Sequence, residues 1–396
     1  MESIHHPNQT SASGGSWTGT HVSVLALLLV LSAVLLLDNG AHAQAGQPER
    51  ELVPNLEPGR SIKYLAMFSS EDDLTERRSV CQRARALLQP SYRPAAREKG
   101  RPSRCDHVID ILAGKDDTKK ADSMLQPAKV TTDSRQRVIV TDPNAAKVHI
   151  FDFAKRKYSF IALQDGSLRL PVGVAVDADD NIYVTDADRG MILVFNPSGR
   201  LERYIGNEKG EGLFGLPTGI AIDKKRGRIY MADSARNVVL MFDIAGNPLG
   251  QVGVRNGETA EKFGMRQGGS GPGQFNFPTD VAINGEELAV LDTANSRVQT
   301  FDLEGQFKGE FLVRGVERRM GLALDQQGRV YLAGPSDSVQ VFDAKGQLLY
   351  SFGGRGDGNG EFRAPSGIWA DTTNRVFIAD SGNRRIQAFQ LAGANR

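Results

Sequence analysis

Six near-copies of one short pattern run through most of this 396-residue chain, and self-similarity at a fixed period commits a chain to a repeat architecture. The cores read PAKVTTD (127–133), PVGVAVD (171–177), PTGIAID (217–223), PTDVAIN (278–284), RMGLALD (319–325) and PSGIWAD (365–371). A polar turn follows each core, then a β-rich segment: VIVTD to Asp142, IYVTD to Asp186, IYMAD to Asp233, LAVLD to Asp292, VYLAG to Gly334 and VFIAD to Asp380. Eight or nine residues later every copy reaches a phenylalanine: Phe151, Phe195, Phe242, Phe301, Phe342 and Phe389. A glycine turn and one more apolar segment complete the copy. Alternating apolar residues, β-branched and aromatic side chains, and Gly/Asp/Asn punctuation all specify strands. Four strands per copy of about 45 residues is the pattern of a propeller blade. Successive cores start 44, 46, 61, 41 and 46 residues apart, and the long interval holds an insertion between Gly253 and Phe277.

The sixth copy is short. Seven residues remain after Phe389, too few for a fourth strand. HVIDILAG (107–114) precedes the first core much as LLYSFGG (348–354) precedes the last. This N-terminal strand is expected to complete the last blade and close the ring, which leaves no open sheet edge. Loss of residues 107–114 is then expected to destabilise the whole ring.

PTGIAID, GRIYMAD and VVLMFD, with PSGIWAD and VFIADSGNRRIQAF, resemble NHL repeats. The resemblance recurs in register over residues 107–391. It implies an all-β fold, a six-bladed β-propeller whose last blade is closed by an N-terminal strand, and a monomeric ring. YLAMFSSEDDL (64–74) is similar to the short N-terminal extension of exported bacterial NHL proteins. Copy five departs most, with no leading proline and Gly334 in place of the aspartate.

Ahead of the repeat, residues 22–37 form an apolar run without a charge, followed by Ala41-His42-Ala43. Such a run before an A-x-A site reads as a secretory signal peptide cleaved after Ala43. The leader before it has no Lys or Arg, which keeps an uncleaved membrane anchor as the alternative, although sixteen residues are short for a span. Export implies a periplasmic or extracellular protein. It also favours a disulfide between Cys81 and Cys105, the two cysteines of the chain. Two unpaired thiols, or pairing with a partner, are the alternatives. The expected domains are the signal at 1–43, a Pro/Arg-rich arm at 44–106, the propeller at 107–391 and a tail at 392–396. A short helix in the arm is expected over 70–88, with Ser70 as its cap. Arg77, Arg78, Arg83, Arg85, Arg93, Arg97, Lys99, Arg101 and Arg104 make the arm basic, suited to contact with an anionic surface.

For the whole chain, 48 Lys+Arg against 47 Asp+Glu give a net charge of +1, without the basic excess that nucleic-acid binding requires. The repeated second aspartate is a turn-former before it is a site. A ring of such loops can still form a face that recognises a protein or a small ligand, with Asn295, Arg297, Asn383 and Arg385 as its candidate contacts. Residues that break the repeat carry more information. The third core position is glycine in four copies, but Lys129 in copy one and Asp280 in copy four, three blades apart. Copy one also carries Thr131-Thr132 in its core. These residues suggest a polar channel mouth, with Lys129, Asp280 and Thr131 orienting a zwitterionic or hydrogen-bonding ligand.

Metal chemistry is poorly supported, because zinc sites ask for three or more His or Cys ligands and the chain after residue 43 offers His107 and His149 at unrelated repeat positions. Asp177-Ala-Asp179-Asp-Asn181 opens like a calcium loop but has Ile182 where that loop needs glycine. It reads as a turn between strands. No G-x-S-x-G motif occurs, and the Gly-rich stretches 268–273 and 353–360 read as loops between blades. The expected function is a non-catalytic binding scaffold without cofactor, metal or nucleic acid. The alternative is a channel-sited hydrolase or lyase of the lactonase or peptide-amidating lyase type, as six-bladed propellers include such enzymes.

Overall fold

Six four-stranded antiparallel sheets follow one another along the chain, each using one copy of the repeat, and their first strands form the inner ring. The computed structural model describes residues 61–70, 123–163, 168–208, 211–253, 268–317 and 319–392. The inner strands are Val130–Thr132, Pro171–Val176, Pro217–Asp223, Pro278–Ile283, Gly321–Leu324 and Pro365–Ala370, for blades 1 to 6 in turn. Each neighbours the next, and Val130–Thr132 lies against both Pro171–Val176 and Pro365–Ala370, so the ring is closed.

The core sits between blades. Phe151, Phe195, Phe242, Phe301 and Phe389 are at most 1% exposed and Phe342 is 6% exposed, so the recurring phenylalanine anchors each blade. Each such burial contributes about 1.5–3 kcal/mol. Phe214, Phe275 and Phe362, from three inter-blade connections, pack on Phe242, Phe301 and Phe389 with ring centroids 5.6, 5.6 and 6.0 Å apart. Buried tyrosines bind blade to blade: Tyr230 donates its hydroxyl to the Leu303 carbonyl (2.6 Å) and Tyr183 reaches that of Ile244 (3.4 Å).

The closing strand is not the one expected from the sequence. Blade 6 runs Pro365–Ala370, Arg375–Asp380, Arg385–Ala392 and then Ser61–Phe68, which pairs antiparallel with Arg385–Ala392 from Ser61↔Ala392 to Phe68↔Ile386. Residues 107–114 lie outside the described residues. Ser61–Phe68 can close the ring because Leu65, Ala66 and Phe68 are buried in one cluster with Val130, Val138, Val140 and Phe151 of blade 1 and Phe377, Ala379, Ile386 and Ala388 of blade 6. The Phe68 ring lies 4.9 Å from those of Phe151 and Phe153 in blade 1. Ser70, expected as a helix cap, forms an antiparallel bridge with Ser123, and the Met124 amide donates to the Ser69 carbonyl (2.9 Å). Residues 70 and 123 therefore lie side by side. Residues 71–88 of the helix expected over 70–88, the basic residues between 77 and 104, Cys81 and Cys105 lie outside the described residues.

Candidate functional site

The third residue of every core comes to one end of the central channel, where adjacent inner strands nearly touch. A Cβ on Gly173 would lie 2.2 Å from the Thr218 carbonyl, and one on Gly219 2.6 Å from Asp280 Cα. One on Gly321 would lie 2.8 Å from Gly367 Cα, and one on Gly367 2.3 Å from the Ala128 carbonyl. The four glycines are therefore a packing requirement of close backbone approach.

Lys129 and Asp280 occupy the remaining two positions, and they do not stand apart across a polar mouth as expected. Lys129 Nζ crosses the axis to Asp280 Oδ2 at 2.6 Å, and also donates to the Met320 and Ser366 carbonyls at 3.1 and 3.3 Å. An ammonium has three N–H donors, and here they meet acceptors from blades 4, 5 and 6. Asp280 Oδ2 accepts the Leu322 amide as well, at 2.8 Å. The side chains are 13% and 7% exposed. The pair is a plug, in which the two charges neutralise each other.

Beyond the plug the channel encloses about 60 Å³. Ala175, Ala221, Ala282 and Ala323 hold the fifth core position, with Thr131 and Trp369 completing that level of the ring. Trp369 Nε1 donates to Thr132 Oγ1 of the next blade (2.9 Å), so the odd tryptophan of copy six answers the odd threonine of copy one. Trp369 was not singled out from the sequence, although a tryptophan in place of a repeated alanine was a signal. Thr131, a sequence candidate, is 2% exposed and lines the cavity. At the far end Lys224 stands on the first turn of blade 3, exposed to solvent.

The plug-side face also carries the turn from the second to the third strand of each blade. Asp142, Asp186, Asp233, Asp292 and Asp380 are fully buried and accept backbone amides from the connection entering their own blade. They are structural, as the repeat implied. In blade 4, Arg297 donates through Nε to Asp292 (2.7 Å) and through its two Nη atoms to Glu310 and the carbonyls of Ser270, Gly271 and Gln274. Asn295 joins Asp292 to the Gly269 carbonyl. In blade 6, Arg385 binds Asp380 and the carbonyls of Asp357, Gly358 and Glu361, while Asn383 binds Asp380 and that of Gly356. These four candidates thus hold the Gly-rich loops, and their donors are engaged inside the protein. Gln299 and Gln387, unnoticed in the sequence, complete the two clusters.

Blade 1 puts His149 at the place of those glutamines. Its Nδ1 lies 2.8 Å from the Tyr158 hydroxyl and its Nε2 3.4 Å from Asp142 Oδ2, which makes it a buried structural histidine. Burial disfavours the Asp142 charge, but the His149 contact and the Leu125 and Gln126 amides outweigh it and hold the carboxyl below its usual range. Blade 5 has Gly334 instead of aspartate, at φ 139°, and a Cβ there would lie 2.6 Å from Met320 Cγ. Met320 fills the space the missing carboxylate leaves. Asp177 accepts the Asp179 and Asn181 amides and the Tyr183 hydroxyl, so that segment is a turn. Burial, aided by the Asp177 charge, pushes the Tyr183 hydroxyl up to about 12. Among the described residues no three His, Cys, Asp or Glu side chains converge as a metal site would require.

Residues 126–253 match a family described as a 6-bladed beta-propeller, and residues 275–301 match the NHL repeat. The chain is 31% identical over 141 residues to the B-box type zinc finger protein ncl-1 of Caenorhabditis elegans, covering 33% of this chain and 15% of that protein. It is 24% identical over 277 residues to the mouse peptidyl-glycine alpha-amidating monooxygenase, covering 64% of this chain and 26% of that one. The chain thus spans about a quarter or less of these two relatives. A solved gluconolactonase from Xanthomonas campestris shares the fold, with a TM-score of 0.52 at 16% identity over 68% of this chain and 87% of that one.

Proposed function

We propose that this chain, a six-bladed β-propeller with NHL repeats, is an exported non-catalytic scaffold that binds a protein or small ligand on its plug-side loop face. One observation carries this reading. The Arg297 and Arg385 clusters stiffen the loops, while Arg314, Arg319, Arg363 and Arg384 beside them are exposed and make no side-chain hydrogen bond or ion pair among the described residues. Free guanidinium groups on a rigid frame suit recognition of a partner, because loop variation changes specificity without touching the fold. The ncl-1 relative is consistent with a binding role. In an affinity capture, Arg319→Glu with Arg363→Glu should abolish retention of the partner, and Lys155→Glu with Lys345→Glu on the opposite face should not. Equal retention by both double variants would remove the reading.

A hydrolase or lyase acting in the channel is the second reading, supported by the amidating monooxygenase relative that covers 64% of the chain. Lys129 and Asp280 would be its charged groups, yet they are bound to each other. Turnover of a lactone, or cleavage of a peptide ending in α-hydroxyglycine to its amide and glyoxylate, by the purified chain with divalent metals supplied would favour this reading over the scaffold.

Export rests on the apolar run and the A-x-A site. Intact-mass analysis of the protein from its native host should place the mature N-terminus at Gln44, and chemical reduction should add two hydrogens as a Cys81–Cys105 disulfide opens. Retention of residues 1–43 would instead indicate an anchor. Export would bring the basic residues between 77 and 104 into a compartment with anionic surfaces for them to contact.

A further inference from the structure

The outermost strands of the six blades differ in how they guard their free edges. An unpaired edge offers backbone amides and carbonyls to another chain, and charged residues or proline discourage that pairing. Ser61–Phe68 carries Lys63, Lys157–Ile161 carries Lys157, Leu201–Ile205 carries Glu202 and Arg203, and Phe307–Leu312 carries Lys308 and Glu310. Pro248–Gln251 begins with proline. Leu348–Gly353 of blade 5 reads LLYSFG and has neither device. Its bulge recurs in blades 2, 3 and 4, so the missing charge is what sets this edge apart. Leu348 is 53% exposed, Ser351 and Gly353 are exposed beyond it, and no fifth strand pairs with this edge among the described residues.

The strand is complementary to itself. Two copies related by a twofold axis pair antiparallel, and residues opposite one another share a face of the joined sheet, so the axis runs through a residue position. Tyr350, Ser351 and Phe352 are the three positions inside the regular stretch after the bulge. With the axis at Ser351 the two serine hydroxyls meet, each able to donate and to accept. Tyr350 then stands opposite Phe352 of the other copy on both sides of the axis, a favourable cross-strand pair. The flanks agree. Counted outward in the same register, Lys345 of each copy comes toward Asp357 of the other. Both side chains are exposed, and neither makes a hydrogen bond or ion pair among the described residues. An axis at Tyr350 would instead bring Lys345 toward Arg355, and one at Phe352 would bring Asp343 toward Glu361, like charges in both cases.

We propose that two copies of this chain pair through Leu348–Gly353, with Ser351 on the twofold axis. The two four-stranded sheets of blade 5 then become one sheet of eight strands. The contact consumes the one unguarded edge of each copy, so it closes as a dimer and does not propagate into filaments. A single short strand pair is a small contact, and the expected Kd is on the order of 10 µM. The ring that the sequence resemblance implied to be monomeric is thus one half of a weak dimer.

Sedimentation velocity of the full chain between about 1 and 100 µM should show monomer giving way to dimer. Ser351→Lys sets two ammonium groups face to face on the axis and should leave only monomer. Ser351 is exposed, so this variant should keep the parent circular-dichroism spectrum and melting temperature. Lys345→Asp turns two attractions into repulsions and should raise the dimer Kd about tenfold. Adding Asp357→Lys to that variant should restore the parent value. A parent that stays monomeric throughout, a Ser351→Lys dimer as tight as the parent's, or no recovery in the exchanged pair overturns the proposal. None of these results bears on the loop-face reading, because Arg319 and Arg363 belong to the connections that enter blades 5 and 6 and not to this edge. The Lys345→Glu change in the control for that reading should loosen the dimer and leave the loop face intact.

Discussion

Lys129→Met is expected to destabilise the propeller by about 3–5 kcal/mol, the usual cost of removing one partner from a buried ion pair. The loss comes from what remains. Asp280 stays 5% exposed with its charge uncompensated, and the Met320 and Ser366 carbonyls lose a donor. Restoring the repeat at both places, Lys129→Gly with Asp280→Gly, should recover most of the loss, because no orphaned charge is left and four other copies already carry glycine there. Denaturant unfolding of the two single variants and the double variant reads the coupling. A double variant no more stable than Lys129→Met would show that the plug is not held together by its charge pair.

Removal of residues 61–68 should cost more still. It strips the outer strand from blade 6 and exposes the edge of Arg385–Ala392, an invitation to strand pairing between molecules. Within that strand, Phe68→Ala alone should cost about 3–5 kcal/mol, since Phe68 is 1% exposed between two blades. Removal of residues 107–114 should leave the closure intact. Thermal unfolding and size-exclusion chromatography separate the two deletions. If the first melts like the parent and the second aggregates, the closing strand is HVIDILAG after all.

The architecture was legible because the pattern recurs six times in register, so that a weak signal in one copy is corrected by the others. The recurring phenylalanines and the innermost position of the core strands follow from that period. The closing strand was not legible. SIKYLAMF and HVIDILAG both alternate apolar residues ahead of the first blade, and strand patterning alone does not say which of two candidates pairs with a distant edge. The site was legible in part. Lys129 and Asp280 stood out as departures from the repeat, but a period says nothing about how far a lysine side chain reaches across an axis. Asn295, Arg297, Asn383 and Arg385 were conspicuous for their polarity. Their commitment to loop carbonyls needed the fold of the Gly-rich connections, which lie over 20 residues away in sequence.

The residues that break the repeat answer one another: Lys129 with Asp280, Thr132 with Trp369, and Met320 with Gly334. Near-identical blades could otherwise dock in the wrong order during folding, a recurrent failure of repeat proteins. Each mismatched pair works as an address. Lys129 satisfies its three donors only when blades 4, 5 and 6 stand at their proper places around the ring, and Trp369 finds its acceptor only when blade 1 follows blade 6. The irregularities thus encode blade order, information that a perfect repeat could not hold.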